Sequence, residues 1–253
     1  MGIWTVKVGN TSLYTYKNSI WLANIPIITP STINRQHYDI YKHDGGMVEK
    51  VYYRSSASVE LTFHSNNYDY MHQIISRLFV SSVLNGGEVD FILRQYTNSA
   101  PDFETGYRYT AINAEVTSYE RRKDNYGRMT VKYEILPQSF LIEDNTEIIL
   151  PATVSNTDDL CKPLYDIVIA GYTTATIKVG NKAPFAITNP VNLERGYRID
   201  SRKMLTIYQG DHTSAETSVT GDYENLWVGH GSVAISVTNA EWCCVFLRRG
   251  FYI

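Results

Sequence analysis

The stretch SVELTFHSNNYDYMHQIISRLFVSSVLNGGEVDFILRQY, residues 58–96, decides the fold of the first half of the chain. Within it, residues 67–84 place Met71, Ile74, Ile75, Leu78 and Phe79 at helical spacing, so one stripe is apolar and must be buried. Asn67 stands where an N-cap belongs, and Asp69 where the helix dipole favours a carboxylate. Asn85-Gly86-Gly87 supplies residues that tolerate the left-handed conformation and so stop a helix. The pattern predicts one helix over about 67–84, the only long one in 253 residues. Its flanks, SVELTF and EVDFILRQY, read as strands. Downstream, RRKDNYGRMTVKYEI (121–135) sets the turn residues Asp124-Asn125-Tyr126-Gly127 between two alternating runs. Met129, Val131, Tyr133 and Ile135 then point one way, and Thr130, Lys132 and Glu134 the other. This predicts a sheet with one wet face and one face against the helix.

Outward from that stretch, Ile3 to Tyr16 alternate as an edge strand or hairpin with a Gly9-Asn10 turn. Trp21 to Ile28 is apolar, but Pro26 and Pro30 limit it to a short or edge strand. YDIYKHDGGMVEKVYY (38–53) reads as two extended arms about Asp44-Gly45-Gly46. Such a projecting hairpin cannot bury both faces on its own domain; it needs another part of the chain or another copy. After the polar loop YTNSAPDFETG, the run 107–122 alternates at Ile112, Ala114 and Val116. Prolines 137 and 151, with acids and Ser/Asn/Thr loops between 136 and 160, predict a boundary near 142 and domains 1–142 and 143–253. In the second, LYDIVIAG, TATIKVG, FAITN, YRIDSR, MLTIYQG, LWVGH, VAISVT and EWCCVFLRRGFYI recur at roughly the 8–12-residue spacing of an antiparallel sandwich or jelly roll.

Composition narrows the function. Twenty tyrosines, with frequent Val, Ile and Thr, suit pleated half-buried surfaces, and 43% hydrophobic residues supply a normal core. No apolar run is long enough to span a bilayer. The N-terminus lacks a signal-peptide pattern, and Val6 stands where myristoylation needs Ser or Thr, so the expectation is a product of the cytosol or one released by lysis. Residues 1–142 carry 14 basic and 13 acidic side chains, and residues 143–253 carry 9 and 13. Neither has the cationic footprint of a nucleic-acid binder, and Arg121-Arg122-Lys123 beside Asp124 reads as a solvated turn. Three cysteines make no disulfide framework. Cys243 and Cys244 are neighbours that face opposite sides of a strand, and they read as buried thiols.

Catalytic signatures are missing from the sequence. His37, His43, His64, His72, His212 and His230 form no i, i+4 helical pair, and HExxH, GxSxG, CxxC, P-loop and dinucleotide motifs do not occur. Glu88/Asp90 and Asp158/Asp159 are close in sequence, which does not set the separation across a cleft that acid–base chemistry requires. Glu88 and Asp90 share one wet face of a strand. No catalytic, cofactor-binding or metal-binding residue is assigned, and no cofactor is expected.

Taken together, certain residues carry a family resemblance. They are His43-Asp44-Gly45-Gly46, the VELTF strand, Tyr107-Arg108-Tyr109, and Gly127-Arg128-Met129-Thr130-Val131 ending at Leu136-Pro137. In the second half they are Pro163-Leu164 with Ile167, Ile169 and Gly171, Ile199-Asp200-Ser201, Gly221-Asp222-Tyr223 with Leu226 and Gly229, and Ile235 with Val237. In this order and spacing the chain resembles, end to end, the distal tail proteins (Dit) of siphophages that infect Gram-positive bacteria, in particular lactococcal-phage-like baseplate components. Val228 departs from the proline common before that glycine, in a loop.

The resemblance implies a mainly β protein with one helix: an N-terminal β-sandwich-like ring domain bearing a belt hairpin over about 31–56, and a C-terminal galectin-like β-sandwich. It also implies a non-enzymatic virion component of the tail tip or baseplate, made in the host bacterial cytoplasm. Such a protein is a homo-hexamer joining the tail tube protein to tail-associated and receptor-binding or upper baseplate proteins. DNA passes through its central channel without sequence-specific binding, and it does not insert into a membrane. The belt apolars Tyr38, Ile40, Tyr41, Met47, Val48, Val51 and Tyr52 are the expected subunit contacts. The alternative is a carbohydrate-binding, lectin-like module contacting cell-wall saccharide. Against it, neither Trp227, followed by Val228-Gly229-His230, nor Trp242, followed by Cys243-Cys244, carries the polar set of a galectin sugar site.

Overall fold

The computed structural model of the chain describes residues 3–36, 51–97, 99–144, 146–190 and 193–253. It is mainly β with one helix. The chain divides into two compact units, Met1–Ser139 together with Ile253, and Phe140–Tyr252.

In the first unit the strands are β1 (Ile3–Val8), β2 (Thr11–Ser12), β3 (Ile20–Leu22), β4 (Ile28–Thr29), β5 (Ile33–Gln36), β6 (Val51–Arg54), β7 (Ala57–Ser65), β8 (Val89–Tyr96), β9 (Tyr107–Arg121) and β10 (Gly127–Leu141), whose last residues belong to the second unit. The main sheet runs β7-β10-β9-β8-β1-β2, with the short β3 and β4 on the other edge of β7. β7 and β10 pair antiparallel from Ala57↔Ile135 to Ser65↔Gly127. That register aligns Val59, Leu61 and Phe63 with Tyr133, Val131 and Met129, all buried. On the other face Glu60 faces Lys132, and both are exposed. The alternation in the sequence is thus the alternation of the sheet.

The helix begins at Asn67, whose side chain accepts the Tyr70 N–H at 3.2 Å, and ends at Gly87 with φ +70°. It is α-helical over Tyr68–Ile74, π-helical over Ile75–Val80 and α-helical again over Ser81–Gly86. The cause lies in the spacing of its buried residues. Met71, Ile75, Phe79 and Val83 fall every fourth residue, and on a regular helix of 3.6 residues per turn such a row winds off its face. A π turn takes in extra residues and brings the row back over the sheet. Here the Ser81 N–H reaches the Ser76 carbonyl, five residues back, and the Ser81 hydroxyl donates to the same oxygen at 2.8 Å.

Gly127 shows how closely the first turn of this helix sits on the sheet. A Cβ there would stand 2.4 Å from Tyr68 Cδ2 and 3.0 Å from Tyr68 Cα. Tyr68 cannot retreat freely, since its N–H bonds the Asn125 carbonyl at 2.8 Å. Gly127→Ala is therefore expected to cost about 1–3 kcal/mol, the usual range for overpacking, read as a lowered urea midpoint at unchanged slope.

The second unit contains β11 (Glu147–Ile149), β12 (Ala152–Asn156), β13 (Leu160–Cys161), β14 (Leu164–Ile169), β15 (Thr174–Val179), β16 (Phe185–Thr188), β17 (Arg195–Asp200), β18 (Leu205–Tyr208), β19 (Val219–Thr220), β20 (Gly231–Thr238), β21 (Trp242–Phe246) and β22 (Arg249–Tyr252). Two five-stranded sheets, β11-β21-β14-β17-β18 and β12-β20-β15-β16-β19, share one apolar core. Every second residue of the facing strands enters it: Tyr165, Ile167 and Ile169 from one sheet, Ala175, Ile177 and Val179 from the other. This is the antiparallel sandwich that the strand spacing predicts.

One expected strand is absent. LWVGH (226–230) is not extended ladder: Tyr223–Leu226 form a 3₁₀ turn, with Leu226 fully buried. The Trp227 N–H returns to the Glu224 carbonyl at 3.2 Å and its indole N–H donates to the Ser201 carbonyl at 3.0 Å. These bonds satisfy the segment without a sheet partner.

Candidate functional site

β5 and β6 form a two-stranded sheet of their own, from Ile33↔Arg54 to Gln36↔Val51, and among the described residues they pair with no other strand. At the root of this ribbon the Thr32 N–H donates to Ser55 Oγ at 2.9 Å and the Ser55 N–H to the Thr32 carbonyl at 2.9 Å. The Ser31 N–H and hydroxyl both donate to the carbonyl of Ile253, the first at 3.2 Å. The point where the arms leave the unit is thereby pinned. An isolated two-stranded ribbon is marginal in water at best, so its backbone calls for a partner surface.

Of the residues expected to make subunit contacts, Val51 and Tyr52 lie on β6 opposite Gln36 and Arg35. Tyr38, Ile40, Tyr41, Met47 and Val48, and the Asp44-Gly45-Gly46 turn, lie outside the described residues.

Several of the polar groups singled out in the sequence have ordinary structural partners. Asp90 pairs with Arg108 at 3.1 Å. Arg121 reaches Asp69 at the start of the helix at 2.9 Å, and Arg122 reaches Glu120 at 3.3 Å. His72 is exposed on the helix. Cys161, Cys243 and Cys244 are buried free thiols. Burial pushes Cys161 up to about 12 and Cys244 up to about 11, and it raises Cys243 further still, so none is a thiolate nucleophile at neutral pH. Trp227 is committed internally: besides its indole bond, the Lys162 ammonium stands 4.3 Å from its ring centre. Burial holds Lys162 below the usual lysine range.

A cleft in the first unit went unread in the sequence. It has a volume of about 550 Å³ and is walled by Trp4, Trp21 and Tyr96, with Lys17, Asn24 and Gln95 among its polar groups. Trp4 and Trp21 stand 17 residues apart with no periodic relation. β1–β8 pairing sets Trp4 opposite Gln95, and β3–β7 pairing sets Trp21 opposite His64. The His64 ring lies 6.4 Å from the Trp21 ring, and its Nδ1 is hydrogen-bonded to the Tyr126 hydroxyl. Burial and the nearby Arg128 charge hold His64 below its ordinary value, so it is neutral at pH 7.

No protein-family model matches the chain, and no curated protein matches it. Among solved structures, it is similar to the crystal structure of SPP1 Dit (gp 19.1), described as a paradigm of the hub adsorption apparatus in phages infecting Gram-positive bacteria. The match has a TM-score of 0.57 and covers 98% of this chain and 99% of that one, at 10% sequence identity. The two chains share a fold. At this identity few side chains are common to the pair, and the likeness rests on the course of the backbone through both units.

Proposed function

We propose that the chain is a structural, non-enzymatic hub of a phage tail tip, a virion component organised as in lactococcal-phage-like baseplates. Six copies close a ring through the first unit, the hairpin carried by β5 and β6 reaches the neighbouring copy, and the second, galectin-like unit (from about residue 143) is the attachment point for other baseplate proteins. The ring joins the tail tube to tail-associated and receptor-binding or upper baseplate proteins and leaves a channel through which DNA passes. The observation that carries this reading is the end-to-end likeness to SPP1 Dit. The separate β5–β6 ribbon supports it, because a head-to-tail contact that closes generates a ring and a projecting arm supplies one. A near-neutral first half, 14 basic against 13 acidic residues over 1–142, suits a channel that must not grip phosphate.

Light scattering on the purified chain, alone and with baseplate partners, tests it. A mass about six times 28.8 kDa is the expected result; a monomer under every condition overturns the reading. Tyr41→Asp with Val48→Asp is expected to lower the mass to that of the monomer while circular dichroism stays the same. A ring that survives both substitutions at the same concentration removes the hairpin from the interface.

A further inference from the structure

The cleft of the first unit combines features that no assembly role requires. Trp4, Trp21 and Tyr96 line it, and so do the polar side chains of Lys17, Asn24 and Gln95. Two of those groups are held in place. Asn24 accepts the Thr62 N–H at 3.0 Å and donates to the Glu60 carbonyl at 3.3 Å. Lys17 Nζ donates to the Tyr14 hydroxyl at 2.6 Å, and the Tyr14 ring packs edge-on against Tyr96 at 5.1 Å. Gln95, across the strand pair from Trp4, is exposed and has its amide free to turn toward a ligand. Ile3 and Ile25 at the cleft are 47% and 63% exposed.

The chemistry selects the occupant. A single cation, Lys17, among ten lining residues gives no basis for a phosphate or a nucleic-acid strand. A purely apolar helix would cover the Gln95 amide without offering it a partner. Flat indole and phenol faces bordered by an amine and two amides fit a ligand that is apolar on its ring faces and rich in hydroxyls at its edge. A volume of about 550 Å³ lies within the usual range of small-ligand sites. We propose that this cleft binds a neutral saccharide, with a pyranose ring stacked on Trp21 and its hydroxyls met by Gln95, Lys17 and Asn24. This inference stands apart from the hub reading, since a monomer in light scattering would leave it untouched.

The test is titration of the whole chain with neutral tetrasaccharides of hexose and of N-acetylhexosamine, followed by tryptophan fluorescence and saturation-transfer NMR. Saturable binding is expected for at least one of them. Trp21→Ala should weaken it by about tenfold or more, the equivalent of one stacking contact, and Trp21→Phe should recover most of the loss. Gln95→Ala, at an exposed strand position that leaves folding intact, should weaken it about threefold to tenfold. Tyr119→Ala, on a side chain 73% exposed outside the cleft, should leave it unchanged. The proposal falls if the folded chain binds none of the sugars. It also falls if binding is indifferent to Trp21→Ala and Gln95→Ala, or if Ile25→Asp converts an oligomer to monomer, which would show the cleft to be covered by a second copy.

Discussion

Replacing Phe79 by alanine lowers the unfolding free energy of the first unit by about 3–5 kcal/mol, the range for deleting a buried aromatic ring. Phe79 is fully buried, and its ring centre lies 6.1 Å from that of Phe63 on β7. It sits within the π turn, and its carbonyl accepts the Tyr133 hydroxyl of β10 at 3.3 Å. Tyr133 is itself wholly enclosed, and burial drives its ionisation far above the ordinary tyrosine value, so its hydroxyl must stay a neutral donor. Alanine removes the ring and leaves a cavity under the one helix of the unit, while the backbone acceptor remains. Urea unfolding followed by near-ultraviolet circular dichroism measures the loss. Leu84→Ala is the control: on the same helix but 56% exposed, it should change stability by about 0.5 kcal/mol or less. Equal effects from the two substitutions would show that the helix is not held by the face assigned to it.

Arg249→Leu should cost the second unit about 3–5 kcal/mol, because it strands a buried charge. The Asp144 side chain is only 4% exposed. It accepts from Arg249 Nη2 at 2.6 Å, from Nε at 3.0 Å and from the Arg249 backbone N–H at 2.6 Å. Removing the guanidinium leaves the carboxylate with the backbone donor alone, in surroundings that exclude water. Adding Asp144→Leu should restore much of the stability, since replacing both partners by apolar groups removes the desolvation penalty. A double variant as unstable as the single one would locate the loss in packing of the arginine stem. Two related pairs stabilise the same unit: Asp166 with Arg198 at 2.7 Å, and Asp200 with Arg248 at 2.7 Å. Burial pushes Asp200 up, but the Arg248 hydrogen bond and charge, the Lys203 N–H and Arg202 outweigh it and hold the carboxyl below its usual value.

What was legible in the sequence is what repeats over short distances. The stripe Met71, Ile75 and Phe79 predicts a helix, and the runs at Val59–Phe63 and Met129–Ile135 predict strands, because period alone decides which side chains share a face. The N-cap at Asn67, the stop at Gly87 and the hairpin turn through Asn125, with φ +64°, follow from local backbone chemistry. Two local readings missed. Read as a regular helix, the row every fourth residue hides the π turn over Ile75–Val80 that returns it to the sheet. LWVGH carries strand-forming residues, yet its bonds to Glu224 and Ser201 turn it away from a ladder.

The sequence by itself determined the class of this protein: mainly β, one helix with its buried face, a sandwich in the second half, and no motif of known catalytic chemistry. Only the tertiary structure decided which distant residues meet. Asp144 and Arg249 are 105 positions apart. Trp4 and Tyr96 come together through the direct pairing of β1 with β8, and Trp21 joins them in the cleft from β3, which is held by β7. Periodicity is a property of neighbours along the chain, whereas an ion pair or a cleft depends on the register of strands that chain order does not specify.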